Sequence, residues 1–171
     1  MKRVLTARAI ATELTRVLGA LSLLAVGIDH IDQYYVDYYR TVPTIGTLFL
    51  LNFISALIVG LALLVPLARF GTHAGDRLHP ILALGGIGIG AGTLAGLLVS
   101  ENGGLFGFME VGYRGAIVLS IAFDVATVVF LGAFLALRAR PSRRRRRRYE
   151  ARANQAPAVE PVRPTVVRAH P

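Results

Sequence analysis

Hydrophobic and polar positions along this chain fall into long blocks, without a strand's alternation or the single apolar stripe of a soluble helix. Between Arg40 and Arg69, Arg77 and Glu101, and Arg114 and Arg138 lie runs of 28, 23 and 23 residues, and Asp124 is the only charge within them. About 20 residues of helix cross about 30 Å of hydrocarbon, so these runs predict spans over about 44–68, 81–100 and 115–137. The last carries thirteen Leu, Ile, Val or Phe residues. They favour insertion by roughly 4 to 8 kcal/mol against about 2.5 to 3.5 for one central Asp, so the span inserts despite Asp124.

The first apolar stretch, 17–28, is shorter. A span over about 9–32 draws Glu13, Arg16, Asp29 and His30 toward the hydrocarbon, where charges are costly unless paired or snorkelling. Glu13 and Arg16, at i,i+3, are placed to pair. A secretory signal has a core of this length, and Ala25-Val26-Gly27 suits cleavage; against that, no proline interrupts 6–39 and the helical pattern runs on into the tyrosines. Pro43 resets the chain before the second span, a hydrophilic turn over 69–80 is closed by Pro80, and the glycine-rich loop 101–114 carries Phe106, Phe108 and Tyr113 at interfacial depth.

The pattern predicts an all-α membrane protein: four transmembrane helices in a compact bundle, followed by a disordered basic tail over 138–171. The 54% hydrophobic composition excludes an ordinary soluble fold, and the absence of cysteine excludes disulfides, thiolate chemistry and iron–sulfur clusters. The net charge of +9 does not point to nucleic acid, because it is concentrated in the tail. Arg143, Arg144, Arg145, Arg146, Arg147 and Arg148 follow directly on the last span, a position that favours anionic lipid headgroups. Placing both termini and the 69–80 turn inside leaves only Arg40 and Arg114 of 19 Lys and Arg outside, which agrees with the positive-inside rule for a multi-pass protein of the cell membrane.

His30…Tyr34…Tyr38-Tyr39-Arg40-Thr-Val-Pro43-Thr-Ile-Gly46-Thr-Leu-Phe-Leu-Leu-Asn52 and Gly104-Leu-Phe-Gly-Phe-Met-Glu110 resemble segments of an uncharacterised actinobacterial family of small four-span integral membrane proteins. The resemblance covers roughly 15–135. It implies membrane location and span count and carries over no catalytic role.

Three sets of residues are candidates for function. Counted inward from the outer span ends, Ser22, Asn52, Thr93 and Asp124 lie roughly 10 to 15 Å deep at about 1.5 Å per residue, so they predict one polar layer. An ionisable group at this depth points to a proton or ligand step; the simpler reading is a neutral Asp124 bonded to Asn52 or Thr93 as interhelical glue. Around the outer boundary Asp29, His30, Asp32, Tyr34, Asp37 and Tyr38, with Glu101 and Glu110 from the second loop, offer a ligand or ion site. One His with carboxylates can hold a divalent cation, but the spacing is not a metal signature, and an aromatic belt with solvated charges is the simpler account. Gly88, Gly92 and Gly96 repeat at four-residue spacing and predict a close helix contact. Gly90, Gly92 and Ala95 imitate a dinucleotide loop, with no preceding strand to support it.

No cofactor is expected, since His30 stands on the opposite side from His73, His79 and His170 and two axial haem ligands cannot meet. The sequence favours a non-enzymatic accessory or homo-oligomeric membrane component, with a membrane protein as partner. A small proton-coupled carrier using Asp124 is the alternative, and a quinone-linked oxidoreductase using the outer Tyr and His residues comes third.

Overall fold

The computed structural model describes residues 7–66, 72–110, 112 and 114–139. Four helices account for most of them: α1 (Ala7–Val36), α2 (Pro43–Leu64), α3 (Thr72–Gly103) and α4 (Gly115–Ala139). All four are long and apolar enough to cross a membrane, and the protein is an all-α membrane protein built as a four-helix bundle. The tail from Arg140 onward, including Arg143 to Arg148, lies outside the described residues, as do His73's side chain and Tyr113.

α1 is the organising helix. Its buried positions Arg16, Gly19, Ala20, Leu23, Val26, Gly27, His30 and Gln33 recur every three or four residues, the spacing of one helix face. That face packs most extensively on α4 and α2, while α2 and α3 make the sparsest contact between neighbours. α4 answers with Ile117, Ser120, Asp124, Thr127, Leu131 and Phe134. Small residues set the approach distances: a Cβ on Gly19 or Gly86 would collide with Leu131, and one on Gly60 with Leu24. Leu131 is thus held between α1 and α3 by two glycines, in the way that small residues let membrane helices close on one another.

Packing is uneven along the bundle. The core cluster Ala20, Leu23, Ala56, Leu63, Ala83, Leu131 and Phe134 fills the half next to Ala7 and Ala139, here termed the terminal face. In the other half the seams of α2 and α3 loosen. Along α2 the buried residues pass from Gly46 to Ala56, with Phe49 and Asn52 only half-buried, and along α3 they pass from Gly90 to Ser100, with Thr93 and Leu97 half-buried. The bundle is solid at one end and hollow toward the other.

Proline and glycine fix the connections. Pro43 begins α2, where its missing N–H is of no consequence. Pro80 does not close a turn as the sequence predicts; α3 starts at Thr72 and runs through it. His79, beside Pro80, bonds the Val65 carbonyl at the end of α2, 3.2 Å away, and so ties the start of α3 to its neighbour. The 101–114 loop is shorter than expected because α3 continues to Gly103. Leu105 and Phe108 then exchange backbone hydrogen bonds at 2.7 and 2.9 Å around Phe106 and Gly107, whose φ values are 52° and 81°, a two-residue turn with both central residues left-handed.

Candidate interhelical cavity and its mouth

A cavity of about 210 Å³ occupies the hollow half, walled by Ile45, Leu48 and Phe49 of α2, Gly92, Thr93, Gly96 and Leu97 of α3, and Leu105, Phe108 and Ile117. Its polar lining is sparse and comes from all sides: His30 and Gln33 of α1, Ser120 and Asp124 of α4, and Ser100, Tyr39 and Glu110 near the loops. A mostly apolar concavity with a few converging polar groups is the usual form of a small-molecule site.

Asp124 is its deepest ionisable residue. It is 1% exposed, and its Oδ1 is buried with no hydrogen-bond partner among the described residues. Backbone packing brings it there. Gly90 of α3 lies against the Asp124 carbonyl, close enough that an added Cβ would stand 3.2 Å from it, so α3 passes directly beside the aspartate. Asn52 and Thr93 do meet, with Asn52 Nδ2 donating to Thr93 Oγ1 at 2.6 Å and Thr93 donating to the Ile89 carbonyl at 3.0 Å. That pair ties α2 to α3, while Asn52 Oδ1 stays buried and unpartnered. Ser22 stands apart and returns its hydroxyl to the Leu18 carbonyl at 2.9 Å.

His30 forms the α1 wall. It is 4% exposed, its ring lies 4.9 Å from that of Phe49, and its Nδ1 sits 2.9 Å from the Val26 carbonyl. A carbonyl only accepts, so Nδ1 carries the proton of the neutral ring and Nε2 is left as an acceptor. One turn on, Gln33 Nε2 donates to Asp29 at 2.6 Å, leaving the amide oxygen of this buried side chain as a second acceptor.

The loop end of the cavity, here termed its mouth, is lined by a network centred on Tyr39, in a single 3₁₀ turn, Tyr39–Thr41. Its ring stacks on Phe49 with centroids 4.6 Å apart and meets Phe108 edge-on at 5.5 Å. Its hydroxyl donates to Glu110 and accepts from Arg114 Nη2 at 2.7 Å. Arg114 also pairs with Asp37 at 3.3 Å and Glu110 at 3.4 Å, and the Glu110 N–H donates to Ser100 Oγ at 3.1 Å. Burial, followed by the bond to Glu110, raises the Tyr39 pKa above the ordinary phenol value. Tyr39 is therefore a neutral hydroxyl across the physiological range.

Of the outer residues anticipated from sequence, the structure brings His30 and Glu110 to the cavity and places Asp37 in the network at its mouth. Asp29 lies beside them on Gln33. Asp32 and Tyr38 are exposed, Tyr34 packs edge-on against Tyr35 at 5.0 Å, Arg40 lies over the Tyr38 ring at 5.6 Å, and Glu101 is half-buried on the last turn of α3. Among the described residues no three His, Asp or Glu side chains gather as metal ligands. Gln33, which the helical pattern sets beside His30, does reach the cavity, whereas Tyr39, Arg114, Ser100 and Ser120 were not anticipated; the one signal in sequence was that Arg114 is a lone cation beside an acidic loop. The expected close contact at Gly88, Gly92 and Gly96 is not made among the described residues. A Cβ at Gly88 or Gly92 would meet nothing within 4 Å, and one at Gly96 only Leu105 at 3.9 Å, whereas Gly86 and Gly90 are the tight positions. Compared with family models, curated proteins and solved structures, the chain matches none.

Proposed function

We propose that this is a membrane protein that binds a small, mostly apolar molecule between its helices, as a carrier or binding component. The observation that supports the reading is a buried aspartate with an unpartnered oxygen, lining an apolar cavity. An unbonded buried acceptor costs about 1 to 3 kcal/mol, and a bound donor removes that cost. The test is a native mass spectrum of the whole protein released gently from its own membrane. A non-lipid small mass should travel with the wild type and be lost from Asp124→Asn; a wild-type chain carrying only lipid overturns the reading.

A homo-oligomeric accessory component is the second reading, favoured by Gly85 and Gly88, which are exposed and open to a partner helix. The same spectrum reports stoichiometry: Gly88→Ile should shift a dimer toward monomer, and a monomeric wild type removes the idea. In either case the arginine distribution supports a terminal face in the cytoplasm, and the tail arginines suit anionic headgroups. Replacing Arg143 to Arg148 with Gln should weaken tail-peptide binding to anionic vesicles, and unchanged binding counts against that role. Membership of the four-span actinobacterial family belongs to the same proposal, supported by the matching span count.

A further inference from the structure

The formally charged groups that line the cavity, Asp124 and Glu110, are of one sign. Asp124 Oδ1 is unpartnered. His30 spends its proton on Val26, so Nε2 only accepts, and Gln33 spends amide hydrogen on Asp29. Thr93 already donates to Ile89 and accepts from Asn52. Tyr39 donates to Glu110. Ser100 accepts the Glu110 N–H and keeps its own hydroxyl hydrogen, and the Ser120 hydroxyl and the second amide hydrogen of Gln33 are further neutral donors of the lining. Among the described residues no Lys or Arg lines the cavity, whereas two carboxylates do. Arg114, the nearest cation, is engaged outside it by Asp37, Glu110 and Tyr39. Its donors are thus neutral hydroxyl and amide groups, its unpartnered acceptor is a carboxylate oxygen, and its formal charge among the described residues is negative.

We infer that the cavity takes a lipophilic amine, with the ammonium group on Asp124 within reach of His30 Nε2 and the apolar body against Ile45, Leu48, Phe49 and Leu97. The inference rests on the binding reading above and narrows it to a chemical class. An ammonium supplies donors only and matches three converging acceptors. A carboxylic acid would place like charge beside Asp124, and a quinone carbonyl would bring no donor to its unpartnered oxygen. Size agrees: a cavity of 150 Å³ accommodates benzene, so about 210 Å³ suits one aromatic ring with a short aminoalkyl arm.

The test uses the full chain in detergent micelles and three probes of nearly equal shape: 2-phenylethylamine, 2-phenylethanol and 3-phenylpropionate. Binding is followed by calorimetry, with protein-free micelles of the same detergent correcting for partition into detergent. The amine should bind about tenfold or more tighter than the alcohol, the scale of a charge-assisted hydrogen bond, and the acid weakest. Asp124→Asn should remove the preference for amine and leave the alcohol's binding largely intact. Amine and alcohol binding equally, or a preference that survives Asp124→Asn, overturns the amine inference while the binding reading stands. Failure of all three probes overturns both. Should Asp124→Asn not fold, Gly96→Leu provides the second variant, since it builds a side chain toward Leu105 at the cavity wall. It should abolish amine binding with Asp124 in place, and amine binding retained there places the amine outside the cavity.

Discussion

The Tyr39 hydroxyl joins two loops that no helix contact connects directly: it donates to Glu110 and accepts from Arg114 at 2.7 Å. Tyr39→Phe keeps the ring stack on Phe49 and removes both bonds. The expected loss is about 1 to 3 kcal/mol, because Glu110 and Arg114 are left short of a partner, read as a lower melting temperature in a fixed detergent. Its pH dependence has a definite sign. Burial and the bond to Glu110 raise the folded-state pKa above the ordinary value of 10.0. A raised pKa means that the contribution is fully present below the unfolded value and is lost as pH rises toward the folded one. The wild-type advantage over Tyr39→Phe should therefore stay constant between about pH 7 and 9, and shrink only above about 10. An advantage that changes between those lower values would show that the hydroxyl proton is not held in this bond.

At the scale of the helices, the ends of α2 and α4 explain why two arginines and a histidine face the terminal end of the bundle. The last four carbonyls of a helix lack intrahelical partners, and near lipid each needs one. Arg16 reaches the Leu63 carbonyl, His79 the Val65 carbonyl, and Arg8 Nε the Leu137 carbonyl at 3.2 Å, so α1 and α3 terminate their neighbours. Arg16→Met should cost roughly 1.5 to 3 kcal/mol, the range for a hydrogen bond to a charged group. Glu13→Gln should cost under about 1 kcal/mol, since the Glu13 side chain is 64% exposed although it pairs with Arg16 at 2.7 Å. Equal losses in thermal melts of the two variants would mean that the ion pair, not the carbonyl, keeps Arg16 buried. The i,i+3 pairing was legible from the letters alone. The Leu63 carbonyl was not, because a backbone acceptor 47 residues away leaves no mark in a side-chain pattern. α3 shows the same limit. Its four-residue glycine repeat was visible, but a helix apolar on every face does not reveal which face turns inward, and Gly86 and Gly90 are the residues that close on α4 and α1.

For the whole molecule, block hydrophobicity determined four helices and their order, because length and apolarity are one-dimensional properties of the chain. The hollow half was not legible, since it arises where the buried seams of α2 and α3 both lapse, a coincidence that exists only after packing. Asp124 was conspicuous as a lone charge in its run; that it lines a cavity with His30 and Gln33 depends on how α1 is rotated. The same dependence makes orientation the next quantity to fix, because the Tyr39 network lies at one end of the bundle and the arginine-rich tail follows from the other. With 17 of 19 Lys and Arg assigned to one side, the positive-inside rule supports the orientation proposed above, which has the tail in the cytoplasm and the cavity mouth outside. The natural sequence contains no cysteine, so a single introduced thiol reports its own side without background. Phe106 is 69% exposed at the tip of the α3–α4 turn. Phe106→Cys should react with a membrane-impermeant maleimide in intact cells, whereas Ser142→Cys should react only after permeabilisation. The reverse pattern would turn the mouth toward the cytoplasm, and any amine entering past Tyr39 would then come from inside the cell.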